Sequence, residues 1–165
     1  MISQPPGDET PIDAVKTPAE LLAIEEPWQF AGAVICNVHI KYQRYGWEAL
    51  TAFERLVWHG SDCAFREAQW MLLEEALDGE ERCTDLVAVL DEIGAHHAAE
   101  ALRQTFALYA AIPPEQAATA CTQGDWIELA GESKLEAVRA TLVDDEVDGC
   151  LRAYINHHRD RLRPD

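Results

Sequence analysis

An all-α fold, a single-domain irregular antiparallel helical bundle of about seven to nine helices, is predicted by three features of the sequence. Apolar residues recur at helical spacing along most of the chain, glycines and prolines punctuate these runs, and no stretch shows the period-two alternation of a half-buried strand. A length of 165 residues suits one domain that buries a real core without a metal or a disulfide.

The elements follow in order. Residues 1–16 are polar and Pro-containing with no apolar periodicity, and read as a flexible N-terminal arm; residues 17–165 read as the single helical domain. Thr17-Pro18-Ala19-Glu20 carries a capping-box pattern with Pro at the first helical position, and Leu21, Leu22 and Ile24 follow before Pro27 stops a short first helix. A second, buried helix runs from Trp28 through Phe30, Val34 and Val38 to Gly46. Trp47 to His59 repeats the pattern with Leu50, Phe53 and Val57 on one face and Gly60 as its stop, after which Ser61 or Asp62 caps a fourth helix reaching Gly79. Leu86, Val89, Leu90 and Ile93 mark a helix between Glu80 and Gly94, and Ala98, Leu102, Phe106 and Tyr109 mark the next, ending before Pro113-Pro114. Short helices are expected from Pro114 and around Trp126, then segments from Glu132 to Leu142 and from Asp144 to Leu162, whose closing arginines suit a helix dipole.

The five cysteines, Cys36, Cys63, Cys83, Cys121 and Cys150, are odd in number and form no C-x-x-C pair, which points to free thiols in a reducing compartment. The opening residues lack the basic and apolar regions of a signal peptide, and apolar stretches fall far short of the ~20 residues that cross a bilayer. A cytoplasmic protein without membrane partners is the expectation.

Catalytic signatures are weak. His96-His97 and His157-His158 are adjacent, and neighbouring helix positions point about 100° apart, so neither pair chelates as an i, i+4 pair would. His96 with Glu100, and Cys36 with His39, are single pairs where catalytic zinc takes three protein ligands. His59-Gly60-Ser61-Asp62 lacks the G-x-S-x-G elbow, and neither a G-x-G-x-x-G nor a Walker loop is present. Acids beside Cys63 and Cys83 are expected to raise their thiol pKa values and blunt reactivity. No catalytic residue, metal or cofactor is assigned.

Charge is the informative feature. Thirteen Lys and Arg stand against 30 Asp and Glu, a formal net charge of −17, which opposes direct binding of nucleic acid. Between Glu67 and Glu100 ten acids face one base, Arg82, and a second knot is Asp144-Asp145-Glu146. Helical spacing is expected to set Glu67, Glu74 and Asp78 in one row and Glu81, Asp85 and Glu92 in another; Glu75, Asp91, Asp144 and Asp145 are counted with this partner-binding acidic surface on charge alone. Four helical residues advance about 6 Å, the scale of phosphate spacing on DNA, so such rows present a phosphate-like field. The bland alternative is a solvated acidic face that aids solubility. The scarcity of i, i+4 counter-charges argues against it.

Leu50-Thr51-Ala52-Phe53-Glu54-Arg55, Glu67-Ala68-Gln69, and Leu90-Asp91-Glu92-Ile93-Gly94-Ala95 followed by Ala98, Ala99 and Leu102 resemble the helical domain family that contains the neisserial DNA-mimic protein. The likeness covers roughly Trp47 to Tyr109, with an echo around Tyr154. Many relatives have an Asn-Gly-Gly turn where this chain reads His59-Gly60-Ser61-Asp62. The resemblance implies a homodimeric, non-enzymatic protein whose acidic surface occupies the DNA-binding face of a transcription factor, of helix-turn-helix type, and keeps it from its operator. Two alternatives stand beside it: an immunity-type inhibitor of a basic nuclease toxin, and a metal-dependent enzyme using His96, His97, Glu100 or His39.

Overall fold

The computed structural model describes residues 15–69 and 71–162, and all regular structure among them is helical. Nine α-helices follow one another: α1 (Pro18–Leu22), α2 (Pro27–Tyr45), α3 (Ala52–Ala68), α4 (Glu80–Ile93), α5 (His96–Ala110), α6 (Pro114–Ala117), α7 (Gln123–Ala130), α8 (Glu132–Arg139) and α9 (Glu146–His157). Short 3-10 helices lie at Trp47–Ala49, Leu72–Asp78 and Arg159–Leu162. The expected all-α bundle is the observed fold. Of the expected N-terminal arm, residues 1–14 lie outside the described residues; the backbone of Lys16 is held by Asn37, whose Oδ1 accepts from the Lys16 N–H at 2.6 Å.

Local chemistry explains the helix ends. Capping boxes open α1 (Thr17 with Glu20), α3 (Thr51 with Glu54) and α7 (Thr122 with Asp125), each satisfying backbone donors that the first turn leaves free. Gly94 closes α4 with φ of 89°, a left-handed conformation that favours glycine, and the Ala95 N–H reaches back to the Leu90 carbonyl at 2.8 Å.

The core is built around α9. Val147, Leu151 and Ile155 are fully buried against α2 (Phe30, Val34, Val38), α3 (Val57, Cys63) and α4 (Leu86, Leu90), while Ala98 and Leu102 bring α5 onto α4. The last turns are tied to the start of α2: Arg152 stacks on Trp28 at 3.7 Å, Arg159 stacks on Phe30 at 3.8 Å, and Asn156 Nδ2 donates to the Pro27 carbonyl at 3.0 Å. Arg152 and Arg159 therefore clamp the C-terminal segment onto the start of α2; the helix expected from Asp144 to Leu162 instead ends at His157, with a separate 3-10 helix at Arg159–Leu162, so the closing arginines do not lie in its last turn.

Two expected boundaries are corrected. Gly60 does not stop a helix; α3 runs through it to Ala68. It is buried where α3 crosses α9, and a Cβ there would lie 2.8 Å from Leu151 Cδ1. Gly60 thus permits a close helix approach, and Ser61 and Asp62 are mid-helix residues rather than caps. The expected fourth helix breaks accordingly, its second half becoming the 3-10 segment Leu72–Asp78 that carries Leu72, Leu73 and Ala76 into the core. A Gly60→Ala variant gains helix propensity of up to ~1 kcal/mol, but overpacking against Leu151 costs about 1 to 3 kcal/mol. A net loss is expected, read as a lower urea midpoint; an unchanged or raised midpoint would show that α9 yields freely.

Candidate acidic interface

Helix α4 presents the clearest acidic face. Cys83, Leu86, Leu90 and Ile93 point inward, which places Glu81, Asp85 and Glu92 on the opposite side at i, i+4 and i+11. All three are exposed, and none forms an ion pair among the described residues. Glu92 accepts a hydrogen bond from the Tyr154 hydroxyl at 3.1 Å, which fixes its end of the row and helps raise the phenol pKa, although burial is the larger cause. Exposed Asp78 and partly exposed Glu74, on the preceding 3-10 helix, continue the acidic surface, as does Glu80 in the first turn of α4. Glu80 was not singled out by spacing, though its place in the acidic run was visible.

The other expected surface acids play different parts. Glu75 is 2% exposed and not part of any surface row. Its carboxylate joins two elements, taking Arg66 Nη1 at 2.6 Å and Arg82 Nε at 3.0 Å, and both arginines also reach Asp62. Asp91 is held by Arg103, with His96 at 3.5 Å. Counter-charges are thus supplied across elements, by Arg66 and Arg103 just outside the acidic run, rather than by i, i+4 pairing within it.

Glu67 is half-buried at the end of α3 and is no continuation of a row with Glu74, because the helix ends between them. Its Oε2 accepts from the Val147 N–H at 3.0 Å, capping α9, whose own N-cap Asp145 sits in the left-handed region (φ 58°) and supplies no side-chain cap. Burial pushes the Glu67 pKa up to about 7; the Val147 N–H opposes this, and Glu146, Asp145 and Asp144 add repulsion. The same device recurs one step on: α5 lacks a cap of its own, and Glu146 accepts from the His97 N–H (3.2 Å), the Ala98 N–H (2.9 Å) and His97 Nδ1 (2.9 Å). Sequence spacing missed Glu146 because a cap donated across 48 residues leaves no local pattern. Replacing it with alanine should cost about 1 kcal/mol, the usual worth of an N-cap, and should speed amide exchange in the first turn of α5; unchanged exchange there would refute the capping role. Asp144 and Asp145 are exposed on the α8–α9 link, beside Glu67.

Ser61 donates to the Trp58 carbonyl at 2.8 Å, so its 2.7 Å contact with His39 Nε2 uses the hydroxyl oxygen as acceptor, the wrong polarity for a base-activated serine. Burial lowers the pKa of both His39 and His59. Cys63 is pushed up to about 12, and Cys83 is raised, with burial rather than the neighbouring acids as the main cause in each. Among the described residues no three His, Cys, Asp or Glu side chains are grouped to hold a metal ion. No helix of the described residues is long and apolar enough to cross a membrane.

The fold and its surface define an all-helical protein with an acidic outer face. Comparisons with protein-family models, with curated proteins and with solved structures return no match to this chain.

Proposed function

We propose that this is an acidic DNA-mimic protein that binds the DNA-binding face of a basic transcriptional regulator, as a homodimer in the cytoplasm and without catalysis, and so blocks operator binding. The observation that carries the reading is the row Glu81, Asp85 and Glu92 on the outer face of α4, free of ion pairs among the described residues and set on a helix whose other face is locked in the core. Glu81 and Asp85 are about 6 Å apart along the axis, and Glu92 lies roughly 10 Å further on. A rigid row of this kind offers negative charge in fixed places, which steers a basic partner and keeps register with its phosphate-binding side chains. The ion-paired acids strengthen the contrast: buried Glu75 takes Arg66 and Arg82, partly exposed Asp91 takes Arg103, and the outer row is left without an ion pair among the described residues.

The test is affinity capture from native lysate at low salt with salt elution, repeated with a Glu81→Gln/Asp85→Asn/Glu92→Gln variant. The expected partner is a basic DNA-binding protein whose capture fails with the variant and whose operator competes for it. Association should weaken as salt rises, since exposed charges are screened within about 8 Å at physiological ionic strength. A partner that is not basic, or one held equally at low and high salt, would falsify the reading. A captured nuclease whose activity is inhibited would instead select the immunity-type alternative.

A further inference from the structure

Helix α4 exposes no large apolar side chain among the described residues, yet a different part of the molecule does. Two adjoining clefts, of about 260 and 380 Å³, share Glu67, Ala68 and Asp145 and run between α3, α2 and the start of α9. Their walls are mixed: apolar side chains, from Ile35, Ala64 and Leu151 at one end to Leu142 and Val143 at the other, alternate with Ser61 and charged groups. Phe65 stands at the edge, 65% exposed, an unusual position for so large an apolar ring.

Charge in the clefts is one-sided. Asp148 is engaged by Arg152 at 2.8 Å, and Arg152 is itself stacked on Trp28, so that pair is internally balanced. Asp144, Asp145 and Glu67 have no ion-pair partner among the described residues. Glu67 Oε1, in addition, has no hydrogen-bond donor there, although Oε2 is used on Val147. An uncompensated carboxylate beside apolar side chains is costly, and a cation arriving with its own hydrocarbon stem relieves that cost while covering Phe65.

We propose that this cleft receives a long cationic side chain, arginine or lysine, from an amphipathic helix of the basic partner, its carbon stem on Phe65 and its head facing Glu67, Asp144 and Asp145. The inference rests on the reading of the protein as a binder of a basic partner and adds to it an anchoring point distinct from the α4 row. Such anchors, an aromatic contact with a desolvated charge beside it, carry a disproportionate share of binding energy. The cleft also gives the interaction a proton: the groups facing Glu67 are Asp144, Asp145, Glu146, Asp148 and Arg152, with the Cys150 thiol near, and a cation placed among them favours ionised Glu67. Binding should therefore release a proton and tighten as pH rises from 6 to 8.

A capped helical peptide with arginine and leucine on one face, and the same composition scrambled, serve as probes in fluorescence-anisotropy titrations of the full chain at low salt. The helical peptide is expected to bind at least about tenfold more tightly than the scrambled one, and Phe65→Ala and Glu67→Gln are each expected to lose about tenfold. Phe65 is exposed, so its substitution leaves the core intact. Glu67→Gln should also abolish the pH dependence of binding. Equal binding of both peptides, or loss only on Glu81→Gln/Asp85→Asn, overturns the cleft while leaving the acidic-mimic reading standing. Failure of both peptides to bind overturns the two together.

Discussion

Exchanging Glu75 for alanine is expected to lower the unfolding free energy by about 3 kcal/mol, the largest effect of any acidic residue in the chain. The reason lies in what the exchange leaves behind. Glu75 is nearly inaccessible, and it is the one carboxylate that takes both Arg66 and Arg82 at 3.0 Å or less. Without it the two guanidiniums share Asp62 alone, at 3.1 and 3.4 Å, and are only about one third exposed, so solvent compensates them poorly. The 3-10 helix Leu72–Asp78 then loses its tie to α3 and α4, although Leu72 and Ala76 remain to hold it. By contrast Glu81→Gln, on the outer row, should change stability by no more than ~0.5 kcal/mol. Urea unfolding of the two variants side by side makes the comparison, and equal midpoints would sink the structural assignment of Glu75. If the two proposals above hold, Glu81→Gln also weakens partner capture while Glu75→Ala, where still folded, weakens it less.

These two acids show what the sequence could and could not convey. Both belong to the same dense acidic run; spacing assigns Glu81 to a surface row, and charge alone counts Glu75 with the acidic surface. For α4 that works, because Cys83, Leu86, Leu90 and Ile93 define an inward face and thereby an outward one; the limits Glu80 to Ile93 and the Gly94 stop were equally legible. For Glu75 it fails, because the helix expected from Ser61 to Gly79 does not exist and its arginine partners come from two other helices. Gly60 misled for a related reason. A glycine that ends a helix and a glycine that admits a neighbouring helix look alike in one dimension, and only the approach of Leu151 tells them apart. Thr51-Ala52-Phe53-Glu54 is a complete capping box, and it places the start of α3 later than the apolar pattern from Trp47 suggests.

Glu67 carries the second large expectation, and its sign is opposite to that of most carboxylates. Its pKa of about 7 in the folded protein stands above the ordinary value of 4.5, so between those two values the folded chain holds more protons than the unfolded one. Stability from this group is therefore fully present below about pH 4.5, is lost as pH rises toward 7, and is flat beyond. The full shift would correspond to about 3 kcal/mol, and because the group is only half-buried, solvent screening reduces the expectation to roughly 1 to 2 kcal/mol. Glutamine at this position keeps an oxygen for the Val147 N–H but removes the charge that Asp144, Asp145 and Glu146 repel. The Glu67→Gln protein should thus match the wild type near pH 5 and exceed it by that margin at pH 8. Taking the difference between the two proteins at each pH cancels the titration of every group the two proteins share. A difference that does not change between pH 5 and 8 would show that Glu67 is solvated and that the start of α9 carries no such strain. A difference that grows with pH also supplies the reason a cationic partner would favour this cleft, since binding there removes a repulsion already built into the folded chain.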